Sequence, residues 1–531
     1  MYCKEPLSNT PENTSVLVVG GSLVGLSTAL FLAKWGVPVT LVEKHAGSSP
    51  HPRAIGYTAR TMELFRAVGI ADQIPQIPPN FRLVRARVES LAGKWVEEPA
   101  WSPEKPEAAK VEYSPCRGAA IAQDKIEPIL RAAAIQFGAD GRQSTELIGF
   151  EQGTDSVTAQ VRNRLDGSEH RIRSSYLIAC DGGASPIREV LGIGTKGRGH
   201  MRTVRSVLFR APLQEYLAKG VFQFDIDQPG FKAFLTTYND GRWVLMFTDE
   251  IERDDEGLKG AIIRSIGRSD LDIEIITTGR WNLGAVVADR FSSGRIFLAG
   301  DSAHAFPPSR GGYGANTGIH DANNLAGKLK AVLSGKSDPS LLHTYDVERR
   351  PVAWLRHQQI FARPDYKPYA NGIAEGEPII DDDAMELGQL YRSEAILGAP
   401  DNLPPALRPD EWNGQPGTRA PHLWLTRGDS RLSTLDLFQR DWVLLAEDEA
   451  WRAAAAEAAA RLGIDLSFIH VATDVTRTEP SAFRTLFGLG RSGASLVRPD
   501  GYVAWRSSDL PAKPTEVLTE AFQMASFARA S

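Results

Sequence analysis

Cysteine is scarce in this chain: its 531 residues include only Cys3, Cys116 and Cys180. They lie far apart and none falls in a C-x-x-C spacing, which excludes a disulfide framework and gives no support for a structural zinc site. The first fourteen residues also lack the basic-then-apolar order of a secretory signal. We therefore predict a reducing, cytoplasmic setting and no metal.

An excess of positive charge is also missing. The chain has 60 basic and 65 acidic residues, a formal net charge of −5. This balance does not indicate a polyanionic partner such as nucleic acid, so a small-molecule substrate is expected. The length is sufficient for two or three domains with full-sized cores.

Long uncharged runs are missing too, apart from residues 15–33, which approach the length of a membrane span. Gly20, Gly21 and Gly25 interrupt this run, and a second apolar stretch ends at Glu43. Strand, tight turn, helix and strand in this order form a dinucleotide-binding βαβ unit. Its helix N-terminus attracts a pyrophosphate, and its terminal acid accepts hydrogen bonds from a ribose. No membrane partner is predicted.

The glycine pattern of this unit is imperfect, because G-x-G-x-x-G would place glycine where Ser22 stands. Two perfect matches occur at 192–197 and 488–493. Neither is predicted to open a helix between two strands, and neither has an acid at the end of a following strand. We interpret both as turns and the N-terminal unit as the nucleotide site.

Two later apolar runs also end in an acid beside glycine. One leads into Asp181-Gly182, and the other into Gly300-Asp301. Ligands of doubly wound folds bind at the carboxyl ends of parallel strands, so both acids are candidate ligand contacts. His304 follows in a turn and is interpreted as structural rather than catalytic. Helices are predicted to begin around Asp124, as the N-cap, and at Asp321.

The composition changes between these two acids. The runs 203–209, 220–225, 231–238 and 243–248 predict an antiparallel sheet with aromatic residues on alternate positions. Such a sheet can roof a pocket for a flat aromatic ligand, although an ordinary core is the alternative for each ring. The candidate substrate contacts are Phe224, Phe234, Tyr238 and Trp243.

The order of the βαβ unit, Asp181-Gly182 and Gly300-Asp301 resembles the class A flavoprotein monooxygenases, the para-hydroxybenzoate hydroxylase family. The closer similarity is to its aromatic polyketide hydroxylases, and it extends over nearly the whole chain, including Pro52-Arg53-Ala54 and Gln123-Asp124-Lys125. It implies an α/β fold with a Rossmann-like FAD domain of the glutathione-reductase type. An inserted antiparallel-sheet substrate domain and a C-terminal thioredoxin-like domain complete that fold.

The predicted boundaries are 14–75, 110–190 and 285–395 for the FAD domain, 76–109 and 191–284 for the substrate domain, and 415–531 for the C-terminal domain. The last contains no cysteine, which excludes thiol redox chemistry there. Its role is expected to be structural or at an oligomer interface, in a monomer or homodimer.

The resemblance implies a set of residues that hold FAD without a covalent bond. The glycine turn would bind the pyrophosphate, Glu43 the adenosine ribose, and Gln123 the ribityl or phosphate side. The backbone near Leu147 would meet the adenine, and Asp301 the ribityl chain. Asp181 with Gly182 would serve both FAD and the nicotinamide nucleotide. The full set is Gly20, Gly21, Ser22, Leu23, Gly25, Glu43, Lys44, Arg53, Gln123, Leu147, Asp181, Gly182, Asp301, Pro308, Gly312, Gly314 and Asn316.

Within this set, Arg53 could meet a phosphate or the flavin ring edge, with a plain surface arginine as the alternative. The loop through Gly312, Gly314 and Asn316 would offer N–H groups to the flavin's pyrimidine edge. Two residues depart from the family pattern nearby: Arg310 lengthens this loop, and Gly327 stands where tryptophan is frequent.

Tyr391-Arg392-Ser393 resembles an element of the polyketide hydroxylases that returns toward the substrate pocket. Arg392 could hold a substrate phenolate or assist its formation, and a solvent-exposed arginine is the alternative. It is the single candidate for a catalytic side chain, because the cofactor of this family supplies the chemistry.

The resemblance implies a monooxygenase of aromatic, phenolic or polyketide-type molecules in secondary metabolism. NADPH or NADH would bind transiently against FAD, since one dinucleotide site is convincing. O2 would form a flavin C4a-hydroperoxide whose terminal oxygen attacks an electron-rich ring carbon. Baeyer–Villiger oxidation, epoxidation, antibiotic inactivation, or sheltering of an aromatic intermediate without oxygenation are the alternatives. The W-x-W-x-I-P signature of flavin halogenases is missing.

Overall fold

The computed structural model describes residues 11–52, 54–78, 84–98, 111–308, 312–438, 440–477 and 481–529. This mixed α/β fold contains two eight-stranded sheets, a four-stranded sheet and smaller strand groups.

The strands, in chain order, are β1 (Glu12–Val19), β2 (Val39–Val42), β3 (Gly56–Tyr57), β4 (Val84–Val88), β5 (Trp95–Glu98), β6 (Ala119–Ala120), β7 (Asp140–Arg142), β8 (Thr145–Gln152), β9 (Val157–Asn163), β10 (Glu169–Ala179), β11 (Thr195–Arg210), β12 (Val221–Gln228), β13 (Phe231–Thr237), β14 (Arg242–Phe247), β15 (Glu274–Ala288), β16 (Ser292–Ser293), β17 (Ile296–Leu298), β18 (His304–Ala305), β19 (Trp424–Arg427), β20 (Ser430–Ser433), β21 (Trp442–Ala446), β22 (Leu466–His470), β23 (Thr476–Arg477), β24 (Ala494–Val497) and β25 (Val503–Ser507). The α-helices are α1 (Leu23–Lys34), α2 (Ala59–Ala67), α3 (Gln123–Gln136), α4 (Pro186–Val190), α5 (Asp255–Ile266), α6 (Tyr313–Leu333), α7 (His343–Ala362), α8 (Asp382–Leu387), α9 (Pro409–Trp412), α10 (Ala450–Leu462), α11 (Ala482–Phe487) and α12 (Pro514–Ser526).

The first sheet has the strand order β16-β17-β10-β1-β2-β7, and the β8-β9 hairpin joins the early part of β10. β1 pairs in parallel with β10 and β2, and β10 with β17. Residues 16–19 of β1 are buried, as expected for a β-branched run at the centre of a parallel sheet. The predicted order of strand, turn, helix and strand over 15–43 is confirmed.

The second sheet has the order β18-β15-β11-β14-β13-β12-β4-β5. Its neighbours pair antiparallel except β4 and β12, which pair in parallel. The antiparallel pairing predicted for the runs between 203 and 248 is confirmed, and β4, which lies outside these runs, adds the parallel pair. β4 enters the sheet from a separate chain segment, so no hairpin determines its direction.

One face of the second sheet packs against α5. Leu258, Ile262 and Ile266 of α5 form a hydrophobic core with Phe231 and Leu235 of β13. The alternate residues of β13, which include Phe234, point to the opposite face.

The third sheet has the order β22-β21-β24-β25, with β21 parallel to β22 and antiparallel to β24. Helices α10 and α12 cover it through Trp451, Ala458 and Phe522. This order of strands and helices is that of the thioredoxin fold, as predicted. The residue boundaries of the three domains stay a prediction, and β15 runs unbroken across the boundary placed at 284/285.

Two helix starts differ from prediction. Helix α3 begins at Gln123 with Ala122 at its N-cap, so Asp124 is not the cap but lies in the first turn. Helix α6 begins at Tyr313 and not at Asp321, because Gly312 adopts the left-handed conformation that starts the helix directly after the glycine-rich loop. Both perfect G-x-G-x-x-G matches open no helix: 192–197 leads into β11 and 488–493 into β24.

Among the residues that the structure describes, no helix is both long and apolar enough to span a membrane. The uncharged run 15–33 is divided between β1 and α1.

Candidate functional site

Four parallel strands end in register at one edge of the first sheet. Val19 pairs with Val42 and with Ala179, and Ala179 pairs with Leu298. The glycine turn, Glu43, Asp181 and the Gly300-Asp301 turn therefore follow at the same edge. The carboxyl ends of parallel strands are where doubly wound folds bind their ligands.

The chain from β1 into α1 requires glycine at two positions, one in the turn and one in the first turn of the helix. Gly20 has φ +104°, and a Cβ there would lie 2.2 Å from the Cys180 carbonyl oxygen. A Cβ on Gly25 would lie 1.7 Å from the Gly20 carbonyl oxygen. The glycines thus bring the first turn of α1 against the strand ends and leave its N–H groups open to an anion.

Glu43 contacts this turn directly. Its Oε2 accepts a hydrogen bond from the Gly21 amide at 2.6 Å, and its Oε1 accepts one from the His45 amide at 2.8 Å. The Nδ1 of His45 donates to the same Oε1 at 2.6 Å. The carboxylate lies beside the first turn of α1, where the ribose contact is predicted.

Ser22, which replaces a glycine of the pattern, is the N-cap residue of α1 and bonds to α3. Its hydroxyl donates to Glu127 Oε1 at 2.7 Å and accepts from Gln123 Nε2 at 2.8 Å. Gln123 also bonds to the backbone of Ala54 in both directions. Sequence reasoning missed buried Glu127. Its position four residues after Gln123, one helical turn on, is the signal that could have found it.

Asp181 follows β10, and only one of its two carboxylate oxygens accepts a hydrogen bond in the described structure. Its Oδ2 accepts from the Ile187 amide at 3.2 Å. Its Oδ1 is buried and has no hydrogen-bond partner in the described structure. Burial raises the pKa of this carboxyl, although Ser185 and the Ile187 amide act in the other direction. An open buried oxygen at this edge fits a hydroxyl-bearing ligand.

Asp301 lies in a short 3-10 turn, Gly300–Ser302, directly opposite the first turn of α6. A Cβ on Gly314 would be 4.0 Å from Asp301 Oδ1, so the carboxylate and the start of α6 are neighbours. Gly312 is the N-cap of α6 and, as a glycine, has no side chain to cap the helix. The amides of this first turn are therefore available, and the helix dipole favours negative charge there.

Asn316 does not lie in a loop, as predicted, but in the second turn of α6. Its buried side chain accepts from the Thr58 amide at 3.0 Å and from Thr61 Oγ1 at 2.6 Å, and it donates to the Gly56 carbonyl at 3.2 Å. The amide thus joins α6 to the start of α2. The same side chain also donates to the Gly312 carbonyl at 2.9 Å, so it ties the end of the glycine-rich loop to this contact.

The remaining predicted cofactor residues differ in their placement. Leu23 is buried at the start of α1, Lys44 is exposed after β2, and Leu147 is partly buried on β8. Pro308 is exposed, and its carbonyl accepts from the Tyr366 hydroxyl. Arg53 lies outside the described residues, as does Arg310 of the predicted loop departure. None of these placements tests a cofactor contact, so the set stays a prediction.

The second face of the second sheet lies against the loop that follows Glu43. The Tyr238 hydroxyl donates to the Pro52 carbonyl at 2.5 Å, and Ser206 Oγ lies 2.8 Å from His51 Nε2. Phe234 lies on this face beside Ser206, with Met246 between them on β14. The nucleotide edge and this partly aromatic face therefore share one wall.

Phe224 and Trp243, two of the four candidate substrate contacts, are not brought to that wall. Both are buried in the core beneath α5, where their rings lie 6.2 Å apart. They lie there because alternate residues of a strand face opposite sides, and the sequence does not reveal which side α5 covers.

Arg392, the candidate catalytic residue, lies near the beginning of α7. It lines a cavity of about 520 Å³ with Ser340, His343 and Val347, at the beginning of α7. Its guanidinium donates to the Leu403 carbonyl. Pro308 and Tyr366 lie near the other end of α7, where Phe361 contacts Tyr366. At 1.5 Å per residue this is roughly 20 Å along the helix.

Two further findings concern residues that sequence reasoning left without a role. His51 rests on Gly279, where a Cβ would meet its ring at 2.9 Å, and its ring edge meets Trp281. Its position directly before Pro52-Arg53 is the signal that could have found it.

Gly327 stands where the family frequently has tryptophan, and a Cβ at this position would lie 3.2 Å from the ring of Trp35. An indole from the end of α1 thus fills that space.

FAD fits the edge that these residues form. A cradle without Cβ atoms, the open Oδ1 of Asp181 and the starts of α1 and α6 match a pyrophosphate, a polyhydroxyl chain and a ring edge that accepts hydrogen bonds and gathers negative charge. Fold and site thus define a dinucleotide-binding α/β protein with an added ligand-facing sheet.

Comparison with known proteins makes this class specific. The FAD binding domain family matches residues 13–359, and the family described as aromatic-ring hydroxylase, C-terminal, matches residues 413–525. The chain belongs to the FAD binding domain family and is an FAD-dependent monooxygenase. The resemblance noted from sequence is confirmed.

The curated relatives match along their whole length. A 4-methyl-5-nitrocatechol 5-monooxygenase of Burkholderia sp is 39% identical, with 98% of each chain covered. A tetracenomycin A2 monooxygenase-dioxygenase of Streptomyces glaucescens is 37% identical over 94% of each chain. An aklavinone 12-hydroxylase of Streptomyces purpurascens is 37% identical over 96% of this chain and 98% of its own.

Solved structures match as well. A ternary complex of aklavinone-11 hydroxylase with FAD and aklavinone superposes with a TM-score of 0.87 and 35% identity, covering 97% of this chain and 99% of the other. A flavin-dependent monooxygenase, PieE, in complex with FAD and substrate gives a TM-score of 0.85 with 28% identity, over 97% of this chain and 100% of the other. The fold is therefore that of an FAD-dependent hydroxylase.

Proposed function

We propose that this protein inserts one oxygen atom of O2 into a phenolic or polyketide-type aromatic molecule, with NADPH or NADH as the reductant. The observation that carries the proposal is the contact between the second sheet and the loop that follows Glu43 at the nucleotide edge. Tyr238 and Ser206 of the second sheet bond to Pro52 and His51 of the loop after Glu43. The relatives' names support an aromatic substrate, since they include a nitrocatechol monooxygenase and aklavinone hydroxylases.

The residues that would hold FAD are those at the sheet edge: the glycine turn, Glu43, Gln123, Asp181 and Asp301. When bound, FAD supplies hydride acceptance, reaction with O2 and oxygen transfer. The protein contributes position and electrostatics. The first turn of α6 stabilises negative charge on the cofactor's ring edge, and the apolar second face of the sheet excludes water from the reacting ring.

This second face is the part of the site that selects a flat, apolar substrate. Val244 and Leu208 pair across β14 and β11 on this face and are fully buried. Phe234 is partly buried, and the Arg85 guanidinium lies 5.2 Å from its ring centroid. An aromatic ring of the substrate would lie against Phe234, with Val244 and Leu208 packed beneath it.

The test is oxidation of NADPH and of NADH by the FAD-loaded protein, with and without a panel of phenols, catechols, naphthols and anthraquinones. We expect at least one ligand to accelerate oxidation and to yield a product heavier by one oxygen. Binding of aromatic ligands without acceleration would instead support the sheltering role. A ring-expanded ester or lactone as product would support Baeyer–Villiger oxidation.

A matched pair of variants locates the substrate on the sheet. Phe234→Leu should raise KM for the accepted aromatic about tenfold, about 1.4 kcal/mol of binding energy. Phe468→Leu is the control, because Phe468 is also a partly buried ring beneath an arginine, but lies in the C-terminal domain. Equal KM values in both variants would remove the second face from the substrate site.

Two predictions about the whole protein also remain proposals. A reducing, cytoplasmic setting is supported by Cys116 and Cys180, which are both free. The state of assembly is proposed to be a monomer or homodimer.

A further inference from the structure

Asp321 is a buried acid in α6 on which several elements converge. Its Oδ1 accepts from Arg349 Nε at 2.7 Å, and its Oδ2 accepts from His304 Nε2 at 2.6 Å and from the Gly300 amide at 3.2 Å. The side chains of Asp321, His304 and Arg349 are fully buried. Burial acts to raise the pKa of Asp321, but His304 and Arg349 hold it below its usual range.

The bond to the Gly300 amide fixes the turn that carries Asp301. Gly300 has φ +64°, and the side chain of Val24 would lie 2.7 Å from a Cβ there. Ser302 ties the other end of the turn to the neighbouring strand, because its hydroxyl donates to the Ala179 carbonyl at 2.6 Å. Asp321 therefore determines where the Asp301 carboxylate points without touching it.

Arg349 extends this arrangement to the start of α6 and to a distant segment. Besides Asp321, its guanidinium donates from Nη2 to the Thr317 carbonyl at 3.1 Å and from Nη1 to the Tyr391 hydroxyl at 2.8 Å. The guanidinium reaches these partners from three separate nitrogens in a rigid plane, whereas the three donors of a lysine lie on one nitrogen and cannot span the same positions. One side chain thus joins the Asp301 turn, helix α6 and Tyr391.

Tyr391 is held by the C-terminal domain. Its ring stacks on Tyr502, with centroids 4.0 Å apart and an interplanar angle of 9°. Next to Arg349, Glu348 accepts from both Nη atoms of Arg498, at 2.6 and 3.0 Å. The C-terminal domain therefore contacts α7 directly at Glu348 and reaches Arg349 through Tyr391.

We propose that Asp321 and Arg349 are positioning residues of the flavin site, and that the C-terminal domain keeps them in place through Tyr391 and Tyr502. This gives a function to a thioredoxin-like domain that has no cysteine. The inference rests on FAD binding at the strand edge and is independent of which aromatic molecule is oxidised.

The test measures FAD affinity of the full-length apoprotein, together with the visible circular dichroism of the bound flavin. Arg349→Lys keeps the charge but loses the three-way contact, and Tyr391→Phe keeps the stack on Tyr502 but loses the hydroxyl. A lost hydrogen bond to a charged group corresponds to at least about tenfold in affinity. We expect the FAD Kd to rise about tenfold in Tyr391→Phe and further in Arg349→Lys, with an altered flavin spectrum at saturation.

The control is Arg66→Lys. Arg66 also joins the FAD-binding region to the C-terminal domain, through Asp436 at 2.7 and 2.9 Å, but on the surface and away from α6. Its FAD Kd and flavin spectrum should equal those of the unmodified protein.

Two results would overturn the inference. One is an unchanged FAD Kd in both test variants. The other is a lower thermal midpoint of the apoprotein with an unchanged flavin spectrum at saturating FAD, which is the signature of a merely structural role. Failure of the proposed function is separate, since it would show as tight FAD binding by the unmodified protein without any ligand-stimulated NAD(P)H oxidation.

Discussion

At the scale of single residues, the tightest packing in the site is that of Gly25 against the Gly20 carbonyl, which leaves no room for a side chain on Gly25. A Cβ on Gly25 would lie 1.7 Å from the Gly20 carbonyl oxygen, far inside van der Waals contact. The same substitution elsewhere in a helix is harmless or favourable, because alanine has the better helix propensity. The geometry around a glycine, and not its residue type, therefore determines its importance.

We expect Gly25→Ala to abolish FAD binding, since the first turn of α1 must move away from the strand ends. Gly260→Ala is the control: Gly260 lies in α5, and a Cβ there would have no atom within 4 Å. It should retain FAD and gain up to about 1 kcal/mol of stability. FAD content after purification and thermal unfolding check both, and a yellow Gly25→Ala protein would contradict the packing argument.

For Arg392, too, the surroundings matter more than the residue type. Its residue type suits a phenolate, but its side chain lies beside His343 and Val347 at the beginning of α7. We expect Arg392→Ala to leave kcat and KM for the aromatic unchanged. A large loss of kcat with an unchanged thermal midpoint would restore its catalytic role.

At the scale of elements, helix α6 connects the flavin edge with the rest of the FAD-binding region. It begins directly after Gly312, so its first turn faces Asp301 while Asn316 in the next turn faces α2. Residues next to each other in a helix point about 100° apart, so the start of α6 can face Asp301 while the Asn316 side chain faces α2. Asn316 is thus a support for the site.

The prediction at this scale concerns Asn316→Ala. Removing its bonds to Thr58, Thr61 and Gly56 leaves buried groups unpaired, so FAD affinity should fall about tenfold and the thermal midpoint should drop. Ser334→Ala, at the C-cap of the same helix, is the control and should change neither. Flavin fluorescence titration measures the affinity. Wild-type affinity in Asn316→Ala would show that α6 holds its place without α2.

At the scale of the whole molecule, buried ion pairs join the C-terminal segment to the FAD-binding region. Glu63 of α2 accepts from Arg419 Nε at 2.9 Å and Nη2 at 2.8 Å, and from Arg60 Nη1 at 2.9 Å. Burial acts to raise the pKa of Glu63, but the two arginines and Ser114 lower it to about 2. A carboxyl whose pKa is lower in the folded than in the unfolded state stabilises the fold above its unfolded pKa.

The pH dependence follows from that sign. The contribution of Glu63 is complete above about pH 4.5 and is lost as the pH falls toward 2, a change of roughly 3 kcal/mol. Glu63→Gln should therefore lower the thermal midpoint most at neutral pH, and the gap from the unmodified protein should close in acid. Scans between pH 3 and pH 7 measure it, and a gap that stays constant would assign the ion pairs no pH-dependent role.

The sequence by itself determined the parts of this protein that depend on local order. Glycine spacing, β-branched strands and acids at strand ends were enough to predict the βαβ unit and the Asp181 and Asp301 edges. Each of these follows from neighbouring residues, through turn sterics and strand burial, and so can be read without a partner from elsewhere in the chain.

Only the tertiary structure decided which residues meet across long separations. It placed α5 over Phe224 and Trp243, started α6 at Tyr313, moved Arg392 away from the sheet, and joined Asp321 to Arg349, Tyr391 and Tyr502. The physical reason is the same each time: the face that a side chain presents has a period of about 2 or 3.6 residues, while the element that covers that face comes from a remote part of the chain.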